Sequence, residues 1–290
     1  MTWWQAIILG IIEGLTEYLP VSSTGHLILA SSLMGLNATE ELEKATYAFN
    51  IVIQVGAIAA VLGLYRKRVM QMCMGLIGKV EPGITGNPGK KLAINLILAF
   101  LPAAMFGPIL DDRIEAYLNG YLPVIGALFV GGVVMVAMGR HLKKDDDKRF
   151  GIDDTTWKIA LFIGIGQCFA MWPGTSRSMM TIITAVLLGM RLKDAAEFSF
   201  LLGLITLGAA TGYKLLKEYQ VIMDSIGPAN LAIGIIVATV SAALAVKWFV
   251  AFLTKRGLTP FGYYRIALAV AIAVLVFAAN ETGSDPVWLL

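Results

Sequence analysis

Apolar runs long enough to cross a bilayer recur along this chain, and two further runs are broken midway by polar clusters, which restricts the possible folds more than any other feature. Stretches near the roughly 20 apolar residues that span a hydrocarbon core predict six membrane helices, at Thr46–Tyr65, Leu92–Leu110, Tyr121–Gly139, Phe198–Leu216, Ala229–Phe249 and Phe261–Ala279. Residues 3–36 and 157–190 are also apolar, but a Pro- and Gly-containing polar cluster interrupts each one. Each therefore predicts a hairpin of two short helices. Irregular backbone at membrane depth is tolerated only inside protein or along a wet cavity, so the two breaks are expected to meet other parts of the chain.

Composition supports this. Hydrophobic residues are 57% of 290 positions and charged residues 15%, against about 25% charged in a soluble domain, and the mean hydropathy is +0.74. The predicted fold class is an all-α polytopic membrane protein, a single membrane domain. The net charge of +3 reflects loop charges and gives no sign of nucleic-acid binding. Cys73 and Cys168 have neither disulfide nor zinc spacing and read as packing residues. The start, MTWWQAIILG, lacks the basic n-region of a cleavable signal and reads as mature protein.

Lys and Arg concentrate in residues 66–91, 140–158 and 191–196 and at Lys255 and Arg256. Glu40, Glu41, Glu43, Asp111, Asp112, Glu115, Glu218, Asp224, Glu281 and Asp285 gather in the alternate connections, beside only Lys44, Arg113, Lys214 and Lys217. The positive-inside rule places the first set in the cytoplasm. That bias is consistent if neither hairpin crosses the membrane. The first then dips in from outside and the second from the cytoplasm, with both termini outside. Each half holds one hairpin and three spans, an odd number, so the halves, about 1–145 and 155–290, run inverted.

A weak internal repeat agrees: GIIEGLTEYLPVSST aligns with GIGQCFAMWPGTSRS, matching Gly10 with Gly164, Glu13 with Gln167, Tyr18 with Trp172 and, after a one-residue gap, Pro20 with Pro173. Sites in such folds lie where the broken helices meet. Gly10 with Gly14 and Gly208 with Gly212 have GxxxG spacing and read as packing contacts. Trp3, Trp4 and Trp288 read as interfacial anchors, and Asp145 to Lys148 with neighbouring His141 as a solvated segment.

The first break, EGLTEYLPVSSTGH, puts Glu13 and Glu17 one helical turn apart on one face. Two close carboxylates in a low dielectric call for a proton or a cation between them. Pro20 is expected to end the helix. Ser22, Ser23 and Thr24 then supply hydroxyls and a cap for a second helix, whose first turn also carries His26 and whose N–H groups suit an anion. The second break, PGTSRSMMT, surrounds Arg177 with Gly174, Thr175, Ser176, Ser178 and Thr181. Its guanidinium suits a phosphate or carboxylate better than a purely structural pairing with Glu13 or Glu17. Together the breaks predict phosphoryl transfer. A metal held by Glu13 and Glu17 would clamp the oxyanions, His26 would move a proton, and Ser23, His26 or water would attack. Arg265, in the last span, either reaches toward the cytoplasmic end near Arg256 or pairs with a group the sequence does not identify.

These two motifs, with AEFSFLL at 196–202, closely resemble those of the bacterial undecaprenyl-diphosphate phosphatase family, also known for bacitracin resistance. The resemblance covers essentially the whole chain. It implies hydrolysis of undecaprenyl diphosphate to undecaprenyl phosphate and inorganic phosphate, which recycles the lipid carrier for peptidoglycan synthesis. It also implies a bacterial plasma-membrane enzyme that needs a divalent cation, magnesium or calcium, with a site opening to the outer face. By matched position it implies roles for Glu13, Glu17, Ser22, Ser23, His26, Ser176, Arg177 and Thr181. The expected catalytic set is then Glu17, Ser23, His26 and Arg177. Ser22, Thr24, Gly174, Thr175, Ser176, Arg177, Ser178 and Thr181 are expected to bind substrate, and Glu13 and Glu17 the metal. A homo-oligomer is compatible with the sequence. A second lipid-phosphatase class, with an SGH-like motif and a nucleophilic histidine six residues after its arginine, is excluded because Ile183 stands there. The remaining rivals are a transporter of the lipid carrier and a non-catalytic lipid-binding membrane protein.

Overall fold

The computed structural model describes residues 1–36, 38–80, 86–118, 120–142, 148–217 and 226–281. Among them the chain is helical, without β-strands. Six helices are long and apolar enough to cross a membrane. They are α3 (Glu40–Leu64), α5 (Pro88–Leu118), α6 (Tyr121–Leu142), α9 (Leu192–Lys217), α10 (Pro228–Arg256) and α11 (Thr259–Glu281). Five of the six sequence-predicted spans fall within them, and Thr46–Tyr65 overruns α3 by the single residue Tyr65, its C-cap. The remaining α-helices are shorter: α1 (Trp3–Thr16), α2 (Ser23–Leu33), α4 (Arg66–Leu76), α7 (Trp157–Cys168) and α8 (Arg177–Leu187).

At 1.5 Å per residue α1 is about 21 Å long and cannot alone cross the roughly 30 Å core. Helix α1 ends at Thr16, before Pro20, and α2 begins at Ser23. Helix α7 passes through a single 3₁₀ turn, Phe169–Met171, and α8 begins at Arg177. The polar breaks in the sequence are thus the turns of two helical hairpins.

The two hairpins share one local geometry at a constant sequence offset. Thr2 and Thr156 are the N-caps of α1 and α7, Ser22 and Ser176 those of α2 and α8, and Gly35 and Gly189 follow the last turns with positive φ. Ser22 (φ 73°) and Ser176 (φ 75°) are the two non-glycine residues with positive φ among those described, a conformation disfavoured by Cβ and found at constrained sites. The correspondence runs without a break, so Ser22 matches Ser176 and Pro20 does not match Pro173. The one-residue gap suggested by the two prolines is corrected accordingly.

Each hairpin packs into the other half of the chain. Helix α1 lies against α10, and α7 against α5. Glycines permit both approaches. A Cβ on Gly14 would meet Ala238 O at 2.5 Å, and one on Gly164 would meet Ala99 O at 2.3 Å. Gly10 likewise abuts Gly234. Gly208 and Gly212 face open space, so reading them as a packing pair is wrong: their spacing matches the motif but no neighbouring backbone reaches that face. Helices α6 and α11 form a third closely packed pair. Outward apolar side chains such as Ile236, Leu244, Val274 and Phe277 cover the perimeter, as a lipid-facing surface requires. Trp3 and Trp4 are exposed, as anchors would be.

Helix α4 was not legible as a helix. Its Arg68 donates to Glu197 and to Asp153, each at 3.0 Å, tying α4 to α9 and to the 3₁₀ turn Ile152–Asp154 before α7. Cys73 on α4 is exposed and Cys168 half-buried, so neither is a core packing residue. The segment 145–147, the His141 side chain and Trp288 lie outside the described residues.

Candidate active site

The two hairpin turns meet beside the largest apolar cluster among the described residues, which includes Tyr18, Phe200 and Phe249. Tyr18 packs edge-on against Phe200 (5.5 Å, 90°), and Phe200 against Phe249 at 5.9 Å. On this apolar floor Glu17, at the C-terminus of α1, joins the halves. Its Oε2 accepts from Ser23 Oγ at 2.7 Å and its Oε1 from Arg177 Nη2 at 3.3 Å. Arg177 opens α8 and is held from three sides. It donates through Nη1 to Ser199 O at 3.0 Å, lies 5.4 Å over the Tyr18 ring, and fills the space where Gly203 lacks a side chain.

Arg177 does pair with Glu17, the structural pairing set aside at the sequence level. The pair does not exhaust the guanidinium, because Nε is buried without a partner. A phosphate oxygen would satisfy it.

Glu13 is fully buried, and neither of its oxygens accepts a hydrogen bond. A carboxylate left this way is costly, and an oxygen-seeking divalent cation would satisfy it. Among the described residues no group of three or more His, Cys, Asp or Glu side chains is gathered. Protein would therefore offer two carboxylates, Glu13 and Glu17. That donor set fits magnesium, which commonly takes one or two carboxylates and completes its shell with water and substrate phosphates.

The hydroxyls play separate parts. Ser22 and Ser176 cap their helices through Gly25 N and Met179 N, leaving other first-turn N–H groups at two convergent helix ends, a site suited to an anion. Ser178 donates to Leu19 O at 2.9 Å, stitching the second turn to the first, and approaches Ser176 Oγ at 3.1 Å. Thr181 lies 2.7 Å from Ser199 Oγ and donates back to Arg177 O, so it braces α8 beneath the arginine. Thr175 is half-buried, its N–H bonded to Trp172 O, and Thr24 is exposed. Gly174, at φ +90°, lies so close to Val124 O that a Cβ would reach 2.8 Å.

His26 contacts neither Ser23 nor Glu17 by hydrogen bond. Its Nδ1 lies 2.7 Å from Ser22 O and its Nε2 2.6 Å from Tyr264 Oη. Because the carbonyl only accepts, Nδ1 donates, and in the neutral ring Nε2 accepts from the tyrosine.

Ser199, Tyr18 and Tyr264 were not singled out from sequence, although Ser199 lies in the AEFSFLL segment. Arg265 does not reach toward Arg256. It is fully buried and donates to Pro20 O (3.4 Å), Gly174 O (2.9 Å), Ala127 O (3.0 Å) and Leu128 O (3.4 Å). The hairpin turns expose carbonyls that helices would otherwise satisfy, and Arg265 serves one from each.

Fold and side chains together define a polytopic membrane protein with two carboxylates and an arginine gathered among its helices. Residues 6–271 match the family model of the bacitracin resistance protein BacA, and the chain belongs to that family. Similar proteins named undecaprenyl-diphosphatase include one from Sorangium cellulosum, 41% identical over 94% of this chain and 86% of its own. Others are from Ectopseudomonas mendocina, 42% identical over 92% of each chain, and Bdellovibrio bacteriovorus, 40% identical over 97% of this chain and 98% of its own.

Proposed function

We propose that this chain hydrolyses undecaprenyl diphosphate to undecaprenyl phosphate and inorganic phosphate, recycling the lipid carrier of peptidoglycan synthesis and thereby giving bacitracin resistance. The observation that carries the reading is the continuous chain Ser23, Glu17, Arg177. It sets a hydroxyl with its proton acceptor beside a guanidinium with a free donor, at two helix N-termini. In this reading Ser23 Oγ attacks the terminal phosphorus as Glu17 takes its proton. The bond to the bridging oxygen breaks and undecaprenyl phosphate leaves. Water then releases phosphate from Ser23. Arg177 and the helix ends bear the charge on the equatorial oxygens, while Thr181 braces α8 beneath Arg177, Ser178 ties α8 to Leu19 O, and His26 holds the Ser22 carbonyl beside Ser23. A divalent cation, magnesium or calcium, held by Glu13 and Glu17, would supply further neutralisation of the diphosphate.

The same reading makes both hairpins re-entrant, the first from the outer face and the second from the cytoplasm, in inverted repeats of about 1–145 and 155–290. It places the protein in the bacterial plasma membrane with both termini outside and the site open to the outer leaflet. Support comes from the shared geometry of the hairpins, their exchange into opposite halves and the loop charge bias.

Purified protein given undecaprenyl diphosphate should release phosphate, and a chelator should abolish release. Arg177→Ala should lower kcat by about 10²–10³, the range for loss of one oxyanion donor. Translocation of labelled lipid by proteoliposomes without phosphate release would replace this reading with a transporter.

A further inference from the structure

The last span supplies a side chain to the site that the two hairpin motifs do not contain. Tyr264 stands on α11, with its ring within 2° of parallel to that of His26 and its hydroxyl 2.6 Å from Nε2. Its neighbour Arg265 is anchored to four carbonyls, one in each hairpin turn and two on α6. That anchoring fixes the rotation and height of α11 against the turns, so the tyrosine hydroxyl is presented at a set position rather than by a free side chain. With Ser22 O at Nδ1 and Tyr264 Oη at Nε2, both ring nitrogens are held and the imidazole plane is fixed.

We infer that Tyr264 is a positioning residue of the active site, acting through His26: its hydroxyl sets the orientation and tautomer of the imidazole at the start of α2. Ordering a histidine through its second nitrogen fixes its tautomer, so that here Nδ1 donates to Ser22 O and braces the start of α2 beside Ser23. Its effect on turnover rests on the phosphatase reading, whereas the contact itself does not, and two measurements separate them.

The first compares acylation of His26 by diethyl pyrocarbonate, read by peptide mass spectrometry, in the wild type and Tyr264→Phe. The variant keeps the ring beside the imidazole and removes only the hydroxyl, and freeing Nε2 should speed acylation about tenfold, the scale of one hydrogen bond. Equal rates would overturn the inference whatever the protein's activity. The second is steady-state hydrolysis by Tyr264→Phe, His26→Gln and the double variant. Tyr264→Phe should lower kcat about tenfold with KM within about twofold, and the double variant should be no slower than His26→Gln alone. Independent, multiplying losses, or an unchanged kcat in Tyr264→Phe, would overturn it.

Discussion

Glu17 is the residue on which the proposed chemistry turns, since one oxygen faces a hydroxyl of its own hairpin and the other the arginine of the opposite hairpin. Ser23 is thereby the better placed nucleophile, and quenching a reaction with substrate labelled in the terminal phosphate should trap phosphoserine at position 23. Label found only in free phosphate, with no covalent species at any quench time, would assign the attack to water. Glu13 has a different part. Glu13→Gln should raise the divalent-cation concentration for half-maximal activity by about tenfold or more, since even an outer-shell partner of a ligand is worth that much, while Arg177→Ala should leave that concentration nearly unchanged. Glu13, Glu17 and Arg177 were legible in the sequence because ionisable groups in apolar runs are expensive and so announce a role. Ser199 and Tyr264 were not, because a serine or a tyrosine in a span is unremarkable until its neighbour across the bundle is known. Arg265 stood out as a charge, but its partners are backbone carbonyls, which no residue identity reveals.

At the scale of elements, six spans and two broken hairpins followed from apolar length and from the position of Pro, Gly and hydroxyl residues. Helix α4 was hidden because its arginines and lysine resemble loop charge until Arg68 finds Glu197 and Asp153. The register of the repeat was obscured by two prolines that invite a false match, whereas the caps Ser22 and Ser176 set the true one. Close backbone approach is a specific requirement of α1, and Gly14→Ala should destabilise the protein by about 1–3 kcal/mol, the usual cost of overpacking. Gly208→Ala, facing open space, should not. Thermal unfolding in detergent compares them, and equal midpoints would mean that α1 does not depend on its contact with Ala238.

For the whole molecule, one scaffold carries unlike chemistry in its two hairpins. At matched positions the first has Glu13 and Ser23 where the second has Gln167 and Arg177, so in the proposed mechanism the carboxylates and the attacking hydroxyl come from one half and the anion clamp from the other. The proposed inverted arrangement predicts opposite exposure of neighbouring connections. In a Cys168→Ser background, membrane-impermeant maleimide should label Cys73 from the cytoplasmic side and a cysteine at Thr39→Cys from the outside; labelling of both from one side would break the proposed topology. The central claim, a single site assembled from both halves, is tested most directly by kcat/KM for undecaprenyl diphosphate in Glu17→Ala, Arg177→Ala and the double variant. Groups that act as a unit give strongly non-additive losses, so the double variant should be little slower than the slower single variant. Losses that multiply would mean that Glu17 and Arg177 serve separate sites, and would contradict the account.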